Sequence, residues 1–571
     1  MNREQKSNTV YRTPNSTDYL TPNTMKIDSL LSVSIFALFC QLLNAQNEGM
    51  DDNAIPHLRQ QGIATQLIVD GEPFLILGGE LGNSTASDPD NLRAVWSALR
   101  SMHLNTLLAP VYWELIEPEE GKFDFSLVDS LIAGAAKYNM RLVLLWFGSW
   151  KNSMSCYVPL WVKKDFSRFP RARNDKDQSM EMLTAFSEEN LQADLRAFAA
   201  LMKHIREFDK GHTVIMVQVE NEIGMIPVAS DFCKPATAAF IKPIPTELMQ
   251  YLQQNKDKLQ PEIKELWATR NFKTGGSWED VFGISPATEE IFMAWYYAVY
   301  VNRIAAAGKL EYPLPMFVNA ALNRQGAKPG DYPSGGPLPH LMDVWKAGAP
   351  SIDFLSPDIY NPYFAEWCTR YHQTGNPLFI PEIMGGNNNA AHVFYAVGKH
   401  DAIGFSPFSI ESVPDPLTNR LTSAYNLLEQ MTPLIMEHQG KGTMTGVLLD
   451  RSDPAQTIIL DNYRLTLTYE PFDRYAYKGN LTDSAFQTGG IVIAVAPDEF
   501  IVAGSGMIVT FDSALPGNSK AGIGSIDECI FKNGRWIPRL RLNGDQSHQG
   551  RHMRLPNDRF SLQRVKLYRY E

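Results

Sequence analysis

Two glutamate-bearing stretches hold the residues best suited to chemistry. Residues 213–224 read Thr-Val-Ile-Met-Val-Gln-Val-Glu-Asn-Glu-Ile-Gly, an apolar, β-branched run that closes in Glu220, Asn221 and Glu222. Residues 378–385 read Leu-Phe-Ile-Pro-Glu-Ile-Met-Gly and carry Glu382 at the corresponding place. A carboxylate at the end of an apolar strand is costly to desolvate, so it is kept either in a structural ion pair or as a working acid, base or nucleophile. Hydrolysis of a glycosidic bond needs two carboxyls across one bond. One protonates the leaving oxygen, and the other attacks the anomeric carbon or activates water. Strand alternation puts Glu220 and Glu222 on the same side, so periodicity does not choose between them. A bulge near Asn221 would let Asn221 and Glu222 reach a common pocket and leave Glu220 as an interior polar support.

Competing chemistries lack their signatures. The chain has no G-x-S-x-G, no H-E-x-x-H and no phosphate-cradling Gly-rich loop ending in Lys. Its 11 histidines are dispersed, and isolated ones such as His103 and His212 read as structural. The five cysteines, Cys40, Cys156, Cys233, Cys368 and Cys529, form no C-x-x-C pair. Neither a zinc site nor a disulfide framework is expected, a single incidental disulfide stays open, and no metal or cofactor is called for. A net charge of −11 without any Lys/Arg run argues against nucleic acid or an anionic membrane surface as a partner and favours a neutral or small ligand. The 11% aromatic content suits stacking on sugar rings or a large core equally well.

The elements that must position these groups follow from periodicity. Asp70-Gly71 between two apolar runs predicts a hairpin, and the second run, 74–79, leads into Glu80. Ser87-Asp88-Pro89 then opens a helix whose Leu92, Val95, Trp96, Leu99 and Met102 share one face. The unit repeats: a strand over 105–112 ending in Tyr112, a helix over 125–138, a strand over 142–147 running into Trp150, Lys151 and Asn152, and a helix capped by Ser187. After the 213–224 strand come four more, at 315–320, 353–360, 378–382 and 403–409. Eight apolar strands separated by helices outline a (β/α)₈ TIM barrel; no G-x-G-x-x-G follows the first strand to support a doubly wound sheet. In such barrels chemistry sits at strand C-termini, where Glu80, Tyr112, Lys151, Glu222, Tyr360 and Glu382 fall.

The expected organisation has three parts. Residues 1–45 form a leader and signal peptide starting at Met25, with an apolar stretch over 30–43 closed by Asn44-Ala45-Gln46. That stretch is too short for a spanning helix, so the mature chain is expected to be exported, periplasmic or extracellular, without membrane insertion. Residues 46–440 form the barrel, with an insertion at 225–313 expected to overhang the site. Residues 441–571 turn to alternation, as in Leu465, Leu467 and Tyr469 or Ile491, Ile493 and Val495, with a hairpin at Asn533-Gly534. They predict a C-terminal β-sandwich acting as a packing partner or as a sugar-binding module. Oligomeric state is not legible.

The motifs also carry a resemblance. Val217-Gln-Val-Glu-Asn-Glu-Ile-Gly224, Gly79-Glu-Leu-Gly-Asn-Ser84, the run from Tyr112-Trp-Glu to Phe-Asp-Phe125, and Gly404-Phe-Ser-Pro-Phe408 resemble glycoside hydrolase family 35, the β-galactosidases, over residues 62–411. The resemblance implies that Glu222 is the general acid/base and Glu382 the nucleophile of a retaining mechanism, with carboxyls about 5 to 5.5 Å apart. Asn221 would hold the sugar 2-hydroxyl, and Tyr360 would hydrogen-bond the nucleophile. Glu80, Asn83, Tyr112, Trp150, Lys151 and Asn152 would line the substrate pocket. A raised Glu222 pKa is expected from a neighbouring ionised Glu382. Two departures touch the sugar pocket: Gly148-Ser-Trp-Lys-Asn-Ser153 replaces the family's usual Glu-Trp and Gly-Gly-Leu-Pro run, and Gly82 stands where His is common. The implied activity is exo-acting release of terminal β-galactose from oligo- or polysaccharide side chains. The alternatives are the same mechanism on another β-glycoside (glucoside, glucosaminide, arabinoside) and a non-catalytic carbohydrate-binding protein.

Overall fold

The computed structural model describes residues 55–470, 486–532, 534–542 and 544–571. The leader, with Met25 and Cys40, and Asn533 of the expected hairpin lie outside them. The described chain opens on a three-stranded antiparallel sheet, His57–Gln61, Ala64–Val69 and Glu72–Phe74. Asp70 and Gly71 both take positive φ, 53° and 80°, as a two-residue hairpin turn demands. The expected strand over 74–79 therefore divides. Phe74 stays with the hairpin, and the barrel strand starts at Ile76, whose N–H donates to Ile403 O at 3.0 Å.

The barrel strands are β1 (Ile76–Glu80), β2 (Thr106–Tyr112), β3 (Arg141–Lys151), β4 (Val214–Asn221), β5 (Met316–Ala321), β6 (Phe354–Ile359), β7 (Phe379–Ile383) and β8 (Gly404–Pro407). All pair in parallel, and β8 returns to β1 to close the ring. Strands β2, β4 and β6 are buried from end to end. That is why their sequences are continuous apolar runs rather than alternating ones, with polar residues gathered at their C-terminal ends.

The outer helices are α1 (Pro89–Ser101), α2 (Ser126–Lys137), α3 (Glu188–Phe208), α4 (Pro286–Glu311), α5 (Met342–Gly348), α6 (Phe364–Tyr371), α7 (Asn389–His400) and α8 (Arg420–His438). Asp88 caps α1 by accepting from Asp90 N, and the Ser187 side chain caps α3 by accepting from Asn190 N. The long α4, inside the expected insertion, is the barrel's own helix after β4 and packs along α3. Ahead of it, helices Thr246–Gln254 and Pro261–Ala268 bury Leu248, Met249, Leu252, Ile263 and Trp267. They meet α5 through Gln260 N, which donates to Asp343 Oδ2 at 2.7 Å, and α6 through the Arg370–Glu262 pair. No described helix is long and apolar enough to cross a membrane.

After α8 the chain forms two antiparallel sheets. The strands are β9 (Met444–Leu449), β10 (Ala455–Leu460), β11 (Tyr463–Tyr469), β12 (Thr488–Ala496), β13 (Glu499–Gly504), β14 (Met507–Ser513), β15 (Lys520–Lys532), β16 (Arg535–Leu542), β17 (Met553–Leu555) and β18 (Ser561–Tyr570). One sheet runs β9-β12-β13-β18-β15-β16 and the other β10-β11-β14-β17. Leu465, Leu467, Val492, Phe500, Val502 and Val509 meet between them in a sandwich core. Alternation in β11 reports this one-sided burial faithfully. In β12 it does not: Ile491 and Ile493 join the barrel's core while Val492 faces the sandwich's. The six-stranded sheet is thus covered on both faces, with α7 lying on it. Gly446 permits this approach, since a Cβ there would sit 2.8 Å from Lys399 N and Tyr395 O.

Candidate active site

Four carboxyls and one ammonium share the C-terminal end of the barrel. Glu80 ends β1, Lys151 ends β3, Glu222 follows β4, Asp358 lies on β6 and Glu382 on β7. Each is at most 5% exposed. Asp358 and Glu382 stand opposite each other in the β6–β7 register.

The backbone at the end of β4 separates the two neighbouring glutamates. Strand β3 pairs Trp146 with Val219 and next Lys151 with Asn221, so it spends five residues where β4 spends two. The expected irregularity near Asn221 is therefore carried mainly by β3. Glu220 and Glu222 themselves adopt positive φ, 61° and 46°, a sparsely populated state for residues with a side chain. The result breaks the alternation. Glu220 turns away, accepts from Trp150 N at 2.7 Å, and meets the carboxyl of Asp194. Asp194 in turn accepts from Trp146 Nε1 at 2.9 Å and Ser149 N at 3.0 Å. Glu220 is an interior support, as alternation plus a bulge requires, and Glu222 faces the other carboxyls.

Glu222 is held at three points. Its N–H donates to Asn319 Oδ1 at 3.1 Å, its Oε2 accepts from Asn152 Nδ2, and its carboxyl is hydrogen-bonded with Asp358. Asn319 Nδ2 also donates to Asp358 Oδ2 at 2.6 Å. Glu382 accepts from the Tyr360 hydroxyl and is hydrogen-bonded with Glu80. Ionised carboxylates carry no donor, so each of the contacts Glu80–Glu382, Asp358–Glu222 and Glu220–Asp194 requires a proton. Burial supplies the driving force. It pushes Glu80, Glu220 and Asp358 well above the usual carboxylate range. Glu382 is raised by burial and then by the charge of Glu222, against Lys151 and the hydrogen bonds from Tyr360 and Glu80. Glu222 is raised as expected, but burial is the cause, opposed by Lys151; the mutual repulsion is felt at Glu382.

The other anticipated pocket residues fall as follows. Asn221 is buried, and neither polar atom of its side chain has a partner among the described residues. Trp150 is fully buried, edge-on to Tyr297 and Tyr300 at 5.4 and 4.7 Å, with its indole N–H unpartnered. The Tyr112 hydroxyl donates to Asn83 O at 2.7 Å. Lys151 extends over the Phe147 ring at 5.1 Å. At Gly82, a Cβ would lie 2.9 Å from Glu411 Oε1, which accepts from Gly82 N and Thr85 Oγ1. A side chain at that position is thus replaced by a carboxylate from the loop after β8. Among the described residues no group of three or more His, Cys, Asp or Glu is placed to hold a metal ion.

Asp358, Asn319 and Glu411 were not anticipated. Asp358 and Asn319 had a signal: Asp358 is the one charged residue of Phe-Leu-Ser-Pro-Asp-Ile, and Asn319 the one polar residue of Met-Phe-Val-Asn-Ala-Ala. Glu411 had none, because its role depends on a partner over 300 positions away in sequence.

The structure is a parallel eight-stranded barrel with buried carboxyls on separate strand ends. Comparison with known sequences adds the relationship: residues 66–292 match the glycosyl hydrolases family 35, and residues 421–554 match a domain of unknown function, DUF5597. The family 35 match contains Glu80 and Glu222 but stops before Glu382. A β-galactosidase of Xanthomonas manihotis is 25% identical over 223 residues, 37% of this chain and 34% of the relative. Beta-galactosidase 11 of Arabidopsis thaliana is 26% identical over 167 residues, 28% of this chain and 18% of the relative. The match thus spans about a third or less of these relatives' length. Among solved structures, the β-galactosidases of Rahnella sp. R3 and Bacillus circulans align with TM-scores of 0.44 and 0.43 at 15% and 13% identity, each over 63% of this chain and 57% of theirs. The chain resembles family 35 across the first half of its barrel.

Proposed function

We propose that the protein is a retaining, exo-acting β-galactosidase that removes terminal β-galactose from oligo- or polysaccharide side chains. The observation that carries this is the pairing of Glu222 and Glu382: two buried, electrostatically coupled carboxyls on separate barrel strands, each oriented by its own donors. The Glu382 carboxylate attacks the anomeric carbon while Glu222 gives its proton to the departing oxygen, whose bond to that carbon breaks. Water then loses a proton to Glu222 and attacks the same carbon, releasing Glu382 with the starting anomeric configuration. Tyr360 stays a donor to Glu382, because burial and the adjoining carboxylates push its own ionisation far up. The unmet polar atoms of Asn221 suit a sugar hydroxyl.

One observation favours a second reading, the same mechanism on another β-glycoside: Lys151 and Asn152 occupy the loop where the family ordinarily contacts galactose. A panel of aryl β-glycosides separates the two, and cleavage of the glucoside alone would overturn the galactoside assignment. NMR of the first anomer released should show β-product, whereas α-product would contradict retention. Glu382→Ala should abolish turnover; sugar binding without turnover in both forms would mark a binding protein instead. Export belongs to the same proposal and is tested by cell fractionation.

A further inference from the structure

The mechanism above uses two carboxyls, yet four stand at the barrel's end. Asp358 is the one whose surroundings fix its protonation site. Its Oδ2 accepts from Asn319 Nδ2 at 2.6 Å, whereas its Oδ1 is buried and, among the described residues, accepts from no N–H or hydroxyl. The same side chain is hydrogen-bonded with Glu222. The carbonyl oxygen of a neutral acid is the stronger acceptor, so the short bond from Asn319 favours Oδ2 in that role and leaves Oδ1 to carry the proton.

We infer that Asp358 is the positioning residue of the general acid: it stays protonated, donates from Oδ1 to the Glu222 carboxyl, and holds the anion that forms when Glu222 protonates the leaving oxygen. This rests on the glycosidase reading. Asn319 makes the arrangement a unit, since it also accepts from the Glu222 backbone at 3.1 Å and so ties the left-handed turn at Glu222 to Asp358. Burial first, and then the facing carboxyls, Glu382 on β7, Glu222 after β4 and Glu80 on β1, keep Asp358 neutral. The Tyr360 and Tyr371 hydroxyls that also face it stay un-ionised, and Lys151 acts on Glu80, Glu222 and Glu382 instead. No proton is gained or lost at Asp358 over the cycle. Glu222 passes its proton to the leaving oxygen, becomes the carboxylate that Asp358 and Asn152 both donate to, and recovers a proton from the attacking water. A donor to the anion makes Glu222 a stronger acid in the first step, and it matters only when the leaving group needs protonation.

That conditional gives the test. Asp358→Ala and Asp358→Asn are compared with the unaltered protein for kcat/KM on an alkyl β-galactoside, which needs the acid, and on a dinitrophenyl β-galactoside, which does not. Alongside, Glu222 is titrated by ¹³C NMR of carboxyl-labelled glutamate, assigned by its absence in Glu222→Gln. The Ala variant should lose about ten- to a hundredfold on the alkyl substrate, stay within about threefold on the dinitrophenyl one, and shift the Glu222 titration upward. The Asn variant, which keeps a donor, should restore both. Equal losses on both substrates, or an unmoved Glu222 titration in the Ala variant, would overturn the inference. If the unaltered protein cleaves neither substrate, the galactosidase reading falls, while the titration, which needs no turnover, still decides the role of Asp358.

Discussion

Glu222 and Glu382 begin as the same side chain and are asked for opposite protonation states. The proposed mechanism needs the proton on Glu222 and the charge on Glu382, the reverse of the order set by the repulsion felt at Glu382. Acid removes activity by protonating Glu382, and base removes it by ionising Glu222. Burial raises both, so both limbs of the kcat/KM profile should lie above the usual glutamate value of about 4.3. A bell displaced upward from the ordinary carboxylate range is expected, and an optimum at or below about pH 4.5 would contradict the site as described. The placing of both glutamates at barrel strand ends was legible, because Asn-Glu and Pro-Glu closing apolar runs are local signals. Their setting was less so. Tyr360 was read from its place after the sixth strand, but Asp358 two residues earlier was passed over. A single acid in an apolar strand has no sequence mark that separates a site residue from an ion pair, and its meaning comes only from Asn319 and Glu222 on other strands.

The irregular pairing of β3 with β4 is the element-scale device that sorts Glu220 from Glu222. Alternation placed them on one side, and only left-handed backbone at both positions divides them. That conformation is invisible to hydrophobic periodicity, which sees residue types and not dihedral angles. Glu220 and Asp194 hold a proton that the unfolded chain would release above its ordinary carboxylate range. The folded pKa values are raised, so this stabilising contribution is full in acid and is lost as pH rises through the folded values. Glu220→Gln should therefore flatten the fall in Tm as pH rises above the ordinary carboxylate range. Glu220→Ala strands the buried Trp150 N–H and should lose roughly 1–3 kcal/mol at any pH, measured by denaturant unfolding. The eight barrel strands and their helices were readable because each carries its own period. The division at Phe74, by contrast, is decided by which neighbour a residue pairs with. Where α7 crosses β9, Gly446→Ala would force a methyl against three backbone atoms and should destabilise by roughly 1–3 kcal/mol, again read by denaturant unfolding.

Across the whole molecule, barrel and sandwich are joined by a sheet that serves two cores. The seam is also polar at one point. His392 of α7 lies flat on Phe364 at 4.0 Å and is hydrogen-bonded to Gln487 ahead of β12 at 2.7 Å. Burial lowers its pKa to about 4. A depressed folded pKa contributes stability above the unfolded value of about 6.5, and this is lost as pH falls toward the folded one. Tm should thus decline as pH drops from about 6.5 to 4, and His392→Gln should lessen that decline. The sandwich was legible as alternation, but its attachment was not, because Ile491 and Ile493 read as one face of a strand whatever lies against them. The two-sided sheet also constrains how this architecture can be inherited or rebuilt. The DUF5597 match begins at residue 421, inside α8, and not at β9 where the sheets start. Helix and sandwich form one cassette. A chain cut after residue 440 would keep α8 yet bare the apolar flank of α7, so anyone grafting this sandwich to another barrel must carry across its last helix and a surface shaped to meet glycine.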